Sequence, residues 1–424
     1  MFDENPSNIW NRLYAALRVR EDSEGKRYGE DSLDPMLWRE SEYLLAQPSH
    51  GFALRVLDEF LQTHAENLIE DPLKRAMLQH DLWAVFDWSV QQYSQSGQAR
   101  YGNEKRELQT RLAEVLRRLA LTQQQIKSQL GNYAQAVASG AFASKYDPEK
   151  PQQPFLPPDL FDPRGPWVCI TPSPDSIRDG GVAKLHFASF SGRSVFLVFV
   201  RLPEGRHATL DYFQTLWNFP QPWVPAPFAD DQLEANPDLP SFPAGTQVAL
   251  VRQMVLFDNE GKLVVSPLTE SVQIRVYREI TTAPRHAAGT TRNSGQDYFD
   301  IRISRPLLFS GKQGGFRATS REESELPTFQ THGDDPIGKS QGQTLTQPMR
   351  TMQTCFMCHS GGGVRSFESV DSLLKPTRRQ QEPRDIDYGP RFWNESNALW
   401  WKENQYDWGL LNGYWAVAGR ISKP

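Results

Sequence analysis

The chain has 424 residues, 38% of them hydrophobic and 23% charged, which is enough apolar material for two or three cores and excludes a compositionally disordered protein. Its formal charge of −5 gives no electrostatic reason to expect nucleic acid or an anionic membrane surface as a partner. No stretch approaches the roughly 18 consecutive apolar residues of a spanning helix, so no transmembrane segment is expected.

From Asn8 to about Leu130 apolar residues recur at three and four with few interruptions by Pro or Gly, which predicts a helical domain over residues 1–140 built as a four- or five-helix array. Asp71 and Pro72 form an N-cap and N1 pair. The helix they open carries Leu73, Met77, Leu82, Val85, Phe86 and Val90 on one side. A later, highly charged helix repeats the pattern with Leu108, Leu112, Val115, Leu116, Leu119 and Ile126. The His80, Trp83, Trp88 and Tyr93 group is read as core, because aromatics at helical spacing serve amphipathic packing.

Residues 141–166 follow as a linker or a strap laid over a domain surface, since the seven prolines between Lys145 and Pro166 forbid a continuing helix. Over residues 167–283 the period switches to two. Lys184 to Arg201, Thr246 to Phe257 and Ser271 to Arg278 read as strands, with Asp258 to Gly261 as a hairpin connection, and a small antiparallel β-sandwich is the simplest assembly. His186 and His207, in or beside these strands, are read as structural, and Cys169 as a small buried hydrophobe. Residues 284–424 are rich in Gly, Pro, Ser and aromatics and read as loop-heavy. The whole is expected to be a multi-domain α+β protein.

One stretch of this last region names a chemistry. Thr354 to Gly363 reads TCFMCHSGGG, with two cysteines separated by two residues and a histidine directly after the second. With 3 Cys and 8 His in the chain, this pattern arises by chance roughly once in a few thousand such sequences. Over Cys355, Cys358 and His359 the chain resembles the c-type cytochromes. The resemblance covers only the five residues from Cys355 to His359. It implies one covalent haem c on Cys355 and Cys358, with His359 as the proximal iron ligand. It also implies a redox role, by default electron transfer to or from a partner protein.

The chain departs from the small electron carriers in having no Met or His after His359, so a distal ligand must come from upstream. His332 is the freest candidate, ahead of His286, Met349 and Met352. An open distal face would instead suit a haem enzyme or a sensor of peroxide or small gases. A third reading makes Cys355, Cys358 and His359 part of a structural zinc site in an interaction protein, completed by Cys169 or His332. Arg365, Arg378 and Arg379 are candidate partners for haem propionates. The aromatics from Phe392 to Trp415 either wall a haem pocket or form a packed C-terminal helix pair. Asp334 with Asp335, and Asp385 with Asp387, are paired carboxylates read as solvated surface.

Covalent haem attachment places the protein outside the cytoplasm, in the periplasm or beyond. The opening MFDENPSNIWNRLY nevertheless lacks a basic n-region, an apolar h-region and a small-residue cleavage site. A leader replaced by Met1 reconciles the two. A misplaced gene start, or a motif that holds no haem, follows in that order.

Overall fold

In the computed structural model the described residues are 2–21, 27–31, 43–91, 101–170, 190–226, 229–280, 295–319, 362–366 and 390–421, together with Ala183, His186 and His359. Six helices come first. Asn8 caps α1 (Ile9–Arg18) by accepting from Trp10 N at 2.9 Å. After the small ribbon β1 (Arg20–Glu21) and β2 (Arg27–Tyr28), α2 (Ser49–Gln62) buries one stripe containing Ala53, Val56, Leu57 and Phe60. As the capping pair predicts, α3 (Pro72–Gln91) opens where Asp71 Oδ1 accepts from Leu73 N at 2.8 Å. The charged helix α4 (Gly102–Leu119) buries Leu108, Leu112, Val115, Leu116 and Leu119, and short helices α5 (Gln123–Lys127) and α6 (Asn132–Ala138) complete the series.

Helix α3 is not amphipathic: every residue from Ala76 to Ser89 is buried, including Gln79, His80, Asp81, Asp87 and Ser89. It is the axle of the molecule, and the aromatic group on it is core, as expected for His80, Trp83 and Trp88. Tyr93 lies outside the described residues.

Strands β3 (Val168–Ile170), β4 (Ser194–Arg201), β7 (Gln247–Phe257), β8 (Leu263–Tyr277), β9 (Gln296–Ile303) and β10 (Phe316–Ala318) form one six-stranded sheet in the order β10-β9-β8-β7-β4-β3. All neighbouring pairs are antiparallel. Strands β5 (Trp223–Ala226) and β6 (Ala229–Ala235) make a separate ribbon, after helix α7 (Arg206–Trp217). Helix α8 (Arg305–Phe309) links β9 to β10, and α9 (Pro390–Glu403) with α10 (Tyr406–Ile421) ends the described chain. The hairpin between β7 and β8 turns at Asp258 to Gly261, where Gly261 takes φ +80°.

Two expectations need revision. Strand β4 starts at Ser194 rather than near Lys184, because Ser191 and Gly192 both take positive φ and cannot continue a ladder. The second sheet of a β-sandwich is not found among the described residues, whose only other strands are the two ribbons. A period of two reveals that a strand has two faces, not what covers them. Part of one face is covered by the proline-rich segment: Phe155 meets Phe299 at 5.2 Å, Phe161 meets Phe199 at 5.5 Å, and Tyr146 OH bonds to Asp297 Oδ2 at 2.5 Å.

A single hydrophobic cluster runs from Phe2 to Leu411. Trp83 on α3 touches Phe257 at 5.2 Å and Trp408 at 5.6 Å, Phe86 meets Tyr414 at 6.2 Å, and Trp415 Nε1 donates to Ala113 O at 2.8 Å. Of the tail's aromatics, Trp408, Tyr414 and Trp415 thus pack α10 against α3 and α4. The carboxylates of α3 are neutralised from far along the chain. Asp87 Oδ2 accepts from Arg193 Nη1 at 2.5 Å and from Lys402 Nζ at 2.6 Å, and Asp81 Oδ1 from Arg305 Nη2 at 2.6 Å. Lys402 also meets Asp407 at 3.0 Å.

His80 Nε2 lies 3.3 Å from Arg193 O and 3.8 Å from Glu270 Oε2. Burial lowers its pKa, with the Glu270 carboxylate opposing and Arg193 assisting. In the unfolded chain the imidazole has its ordinary pKa of about 6.5. As pH falls below that value the unfolded state takes up the proton first, so this contribution to stability is present above it and lost as pH drops towards the lowered folded value. In urea titrations the midpoint of His80→Gln is expected to fall less than that of the wild type between about pH 7.5 and about pH 5.5. Equal falls in both proteins would remove His80 as the source.

Candidate metal centre

The short 3₁₀ turn Gly363–Ser366, just after the Cys/His motif, is tied down from four directions. Gly363 takes φ +54°, and a Cβ there would overlap Ser241 Oγ, so only glycine lets the backbone come this close. Val364 is buried. Arg365 Nη2 donates to Pro237 O at 2.7 Å and Asn236 O at 3.3 Å. Ser366 Oγ bonds to Tyr277 OH and accepts from Arg275 Nη1 at 3.4 Å.

The carbonyl of Ser366 faces His359, whose Nδ1 lies 2.6 Å away. A carbonyl only accepts, so Nδ1 carries the proton. In the neutral ring that leaves Nε2 with its lone pair, the form in which imidazole binds a metal; a hydrogen bond from the other ring nitrogen is the usual means of fixing orientation and raising ligand basicity.

A second imidazole stands opposite. The ring centroid of His186 is 6.3 Å from that of His359, with 14° between the planes. His186 is half-buried, lies 5.4 Å from the Phe196 ring, and accepts on its backbone carbonyl from Phe190 N at 3.1 Å. Burial, with the guanidiniums of Arg275 and Arg252 adding to it, pushes its pKa down to about 4, so this ring is neutral near pH 7. The sheet explains the grouping. Phe196 is paired with Arg252, and Val248 with Arg275. By the two-residue period, Phe196, Arg252, Arg275 and Tyr277 share one face. Arg252 also sits over the Phe190 ring at 4.2 Å.

The structure thus brings His359 together with His186, Ser366, Tyr277 and Arg275. Sequence reasoning read His186 as structural, and nothing in its spacing signals otherwise, since it lies far from the motif in sequence and in no pattern of its own. Cys355, Cys358, His332, His286, Met349, Met352, Arg378 and Arg379 lie outside the described residues, as do Asp334, Asp335, Asp385 and Asp387. Arg365, considered for a propionate, holds backbone carbonyls instead. Cys169 is buried in β3, and His207 is exposed on α7 beside Asp211 at 3.8 Å. Among the described residues no three His, Cys, Asp or Glu side chains are grouped to hold a metal ion, and no helix is long and apolar enough to cross a membrane.

Among the described residues the site comprises one imidazole held by a carbonyl and a second parallel to it, with an aromatic ring and two guanidiniums near the second. No family model, no curated protein and no solved structure matches this chain.

Proposed function

We propose that the chain is a monohaem c-type cytochrome that carries electrons to or from a redox partner protein outside the cytoplasm. The sequence Cys355, Cys358, His359 supports this, and the observation that carries it further is the bond between His359 Nδ1 and Ser366 O, which fixes the ring with its proton on Nδ1. Cys355 and Cys358 would hold the porphyrin through thioethers and His359 its iron. When bound, haem c supplies a one-electron centre whose potential depends on axial ligands, hydrogen bonds and exposure.

The chain's own residues orient and tune. Ser366 holds a proton at His359 Nδ1, and Tyr277 and Arg275 hold Ser366 in turn. Phe190 and Phe196 reduce the access of water to His186. Positive charge from Arg252 and Arg275 on the same face favours whichever oxidation state carries less positive charge. In this reading residues 284–424 form the haem-binding region, set against a helical domain at 1–140, a proline-rich strap at 141–166 and a sheet-bearing domain at 167–283.

Haem staining after denaturing electrophoresis tests the reading, on protein made with and without an added export signal in a host that matures c-type cytochromes. A stain confined to the exported protein is expected. Exported protein that never stains, beside a control cytochrome that does, would sink the proposal and leave structural zinc, read by metal analysis, as the remaining chemistry of the motif.

A further inference from the structure

We infer that a small monovalent anion, a halide such as chloride, binds in the cavity between α1, α3 and the turn that leads into β4, with Arg18 as its principal ligand. The site is separate from the Cys/His motif and does not rest on the cytochrome reading.

Three observations point this way. The first is an unmatched charge. The other buried cations of this part of the core each face a carboxylate: Arg193 and Lys402 share Asp87, Lys402 also meets Asp407, Arg305 meets Asp81, and Arg252 lies 3.3 Å from Glu270. Arg18, the last residue of α1, is 2% exposed and has no carboxylate within ion-pair distance among the described residues. A guanidinium cannot escape the cost of burial by losing its proton. The Tyr14 hydroxyl accepts a hydrogen bond from Arg18 but brings no charge, because burial pushes its pKa up to about 12.

The second observation is a set of unused donors. Arg18 Nε and Nη1 and Arg193 Nε are buried without a hydrogen-bond partner, and both side chains line one cavity. The serine and histidine of the lining are engaged elsewhere: Ser194 Oγ donates to Glu270 Oε1 at 2.6 Å, and His80 Nε2 lies 3.3 Å from Arg193 O. One unsatisfied acceptor, Asp81 Oδ2, also borders the space, and Arg305 balances its charge through Oδ1 at 2.6 Å. Asp81 opposes an anion, so the ion is expected on the Arg18 side.

The third is size. The cavity has room for a single occupant of about the size of a water molecule. A halide fits this space, whereas sulfate, phosphate or a carboxylate does not. Water would satisfy the donors and leave the charge of Arg18 uncompensated; an anion does both. Bound there, it ties the end of α1 to α3 and to the start of β4.

Two measurements on the full chain test the site. Crystals soaked in sodium bromide are expected to show an anomalous scattering peak within hydrogen-bond reach of Arg18 Nε; a cavity filled by water without such a peak overturns the inference. In solution, urea midpoints are read as chloride replaces gluconate, an anion too large for the cavity, at constant ionic strength. The wild-type midpoint is expected to rise and saturate, as mass action requires of a ligand bound by the folded state alone. In Arg18→Met the saturable rise is expected to be lost, leaving only the unsaturating drift that exchanging salts imposes on both proteins. Ala84→Val narrows the cavity with every charge kept and is expected to lose the rise as well, which serves where Arg18→Met does not fold. A saturable rise of equal size in wild type and variants, or none in wild type, overturns the inference. A bromide peak without a wild-type rise means an adventitious ion only, and overturns it too.

Discussion

Replacing Cys355 and Cys358 together by alanine is expected to abolish the covalent haem stain, while Cys169→Ala leaves it at the wild-type level. Thioether attachment needs both sulfurs of the motif, and Cys169 sits in β3, buried and paired in the sheet with Phe199. The expected loss is total, because the one remaining cysteine, Cys169, is buried in β3 and has no partner at the motif's spacing in the sequence. His359→Ala differs in kind. It removes the proximal nitrogen and the bond to Ser366 O, so attached haem should lose its low-spin spectrum even where some stain remains. Stain retained in the double cysteine variant would show that the haem is held elsewhere.

The second large effect is expected in the buried ion network. Asp87→Ala should lower stability by about 3–5 kcal/mol, because it leaves Lys402 and Arg193, both buried, without the carboxylate they share. Burial and the neighbouring Asp407 push the Asp87 pKa up to about 6 against the pull of Lys402 and Arg193. Ionised at neutral pH, the pair is thus retained at a cost, and its value appears mainly when one partner is removed. Asp87→Asn combined with Lys402→Met should lose less than Asp87→Ala alone, since it removes opposite charges together. Denaturant midpoints at neutral pH read both. A loss under about 1 kcal/mol for Asp87→Ala would mean that water reaches the site and the cations are not stranded.

What was legible in the sequence follows the range of the forces involved. Asp71 with Pro72 opens α3, and Asp258 to Gly261 turns β7 into β8, because capping and hairpin chemistry act over a few residues. The all-round burial of α3 was hidden, since Asp81 and Asp87 look like solvent-facing residues until Arg305 and Lys402 arrive from more than 200 positions away. The false start of β4 has the same origin: alternation persists from Lys184, but two residues with positive φ interrupt it. At the candidate site, His359 stood out through its motif. Its support did not, because a backbone carbonyl such as that of Ser366 has no side-chain signature. His186 reads as an ordinary lone histidine until the fold lays its ring parallel to that of His359.

The enclosure of α3 by both ends of the chain sets an order of events. A polypeptide leaving the ribosome or threading a membrane from its N-terminus presents α3 long before Lys402, Trp408 and Tyr414 exist to cover it. Its carboxylates and apolar sides must wait for contacts of very long sequence separation, the kind that form late and slowly. Residues 355–359 are synthesised before α9 and α10, so the motif emerges while the body of the protein is still open. In the cytochrome proposed above, an attachment enzyme would meet that motif before α9 and α10 dock on α3.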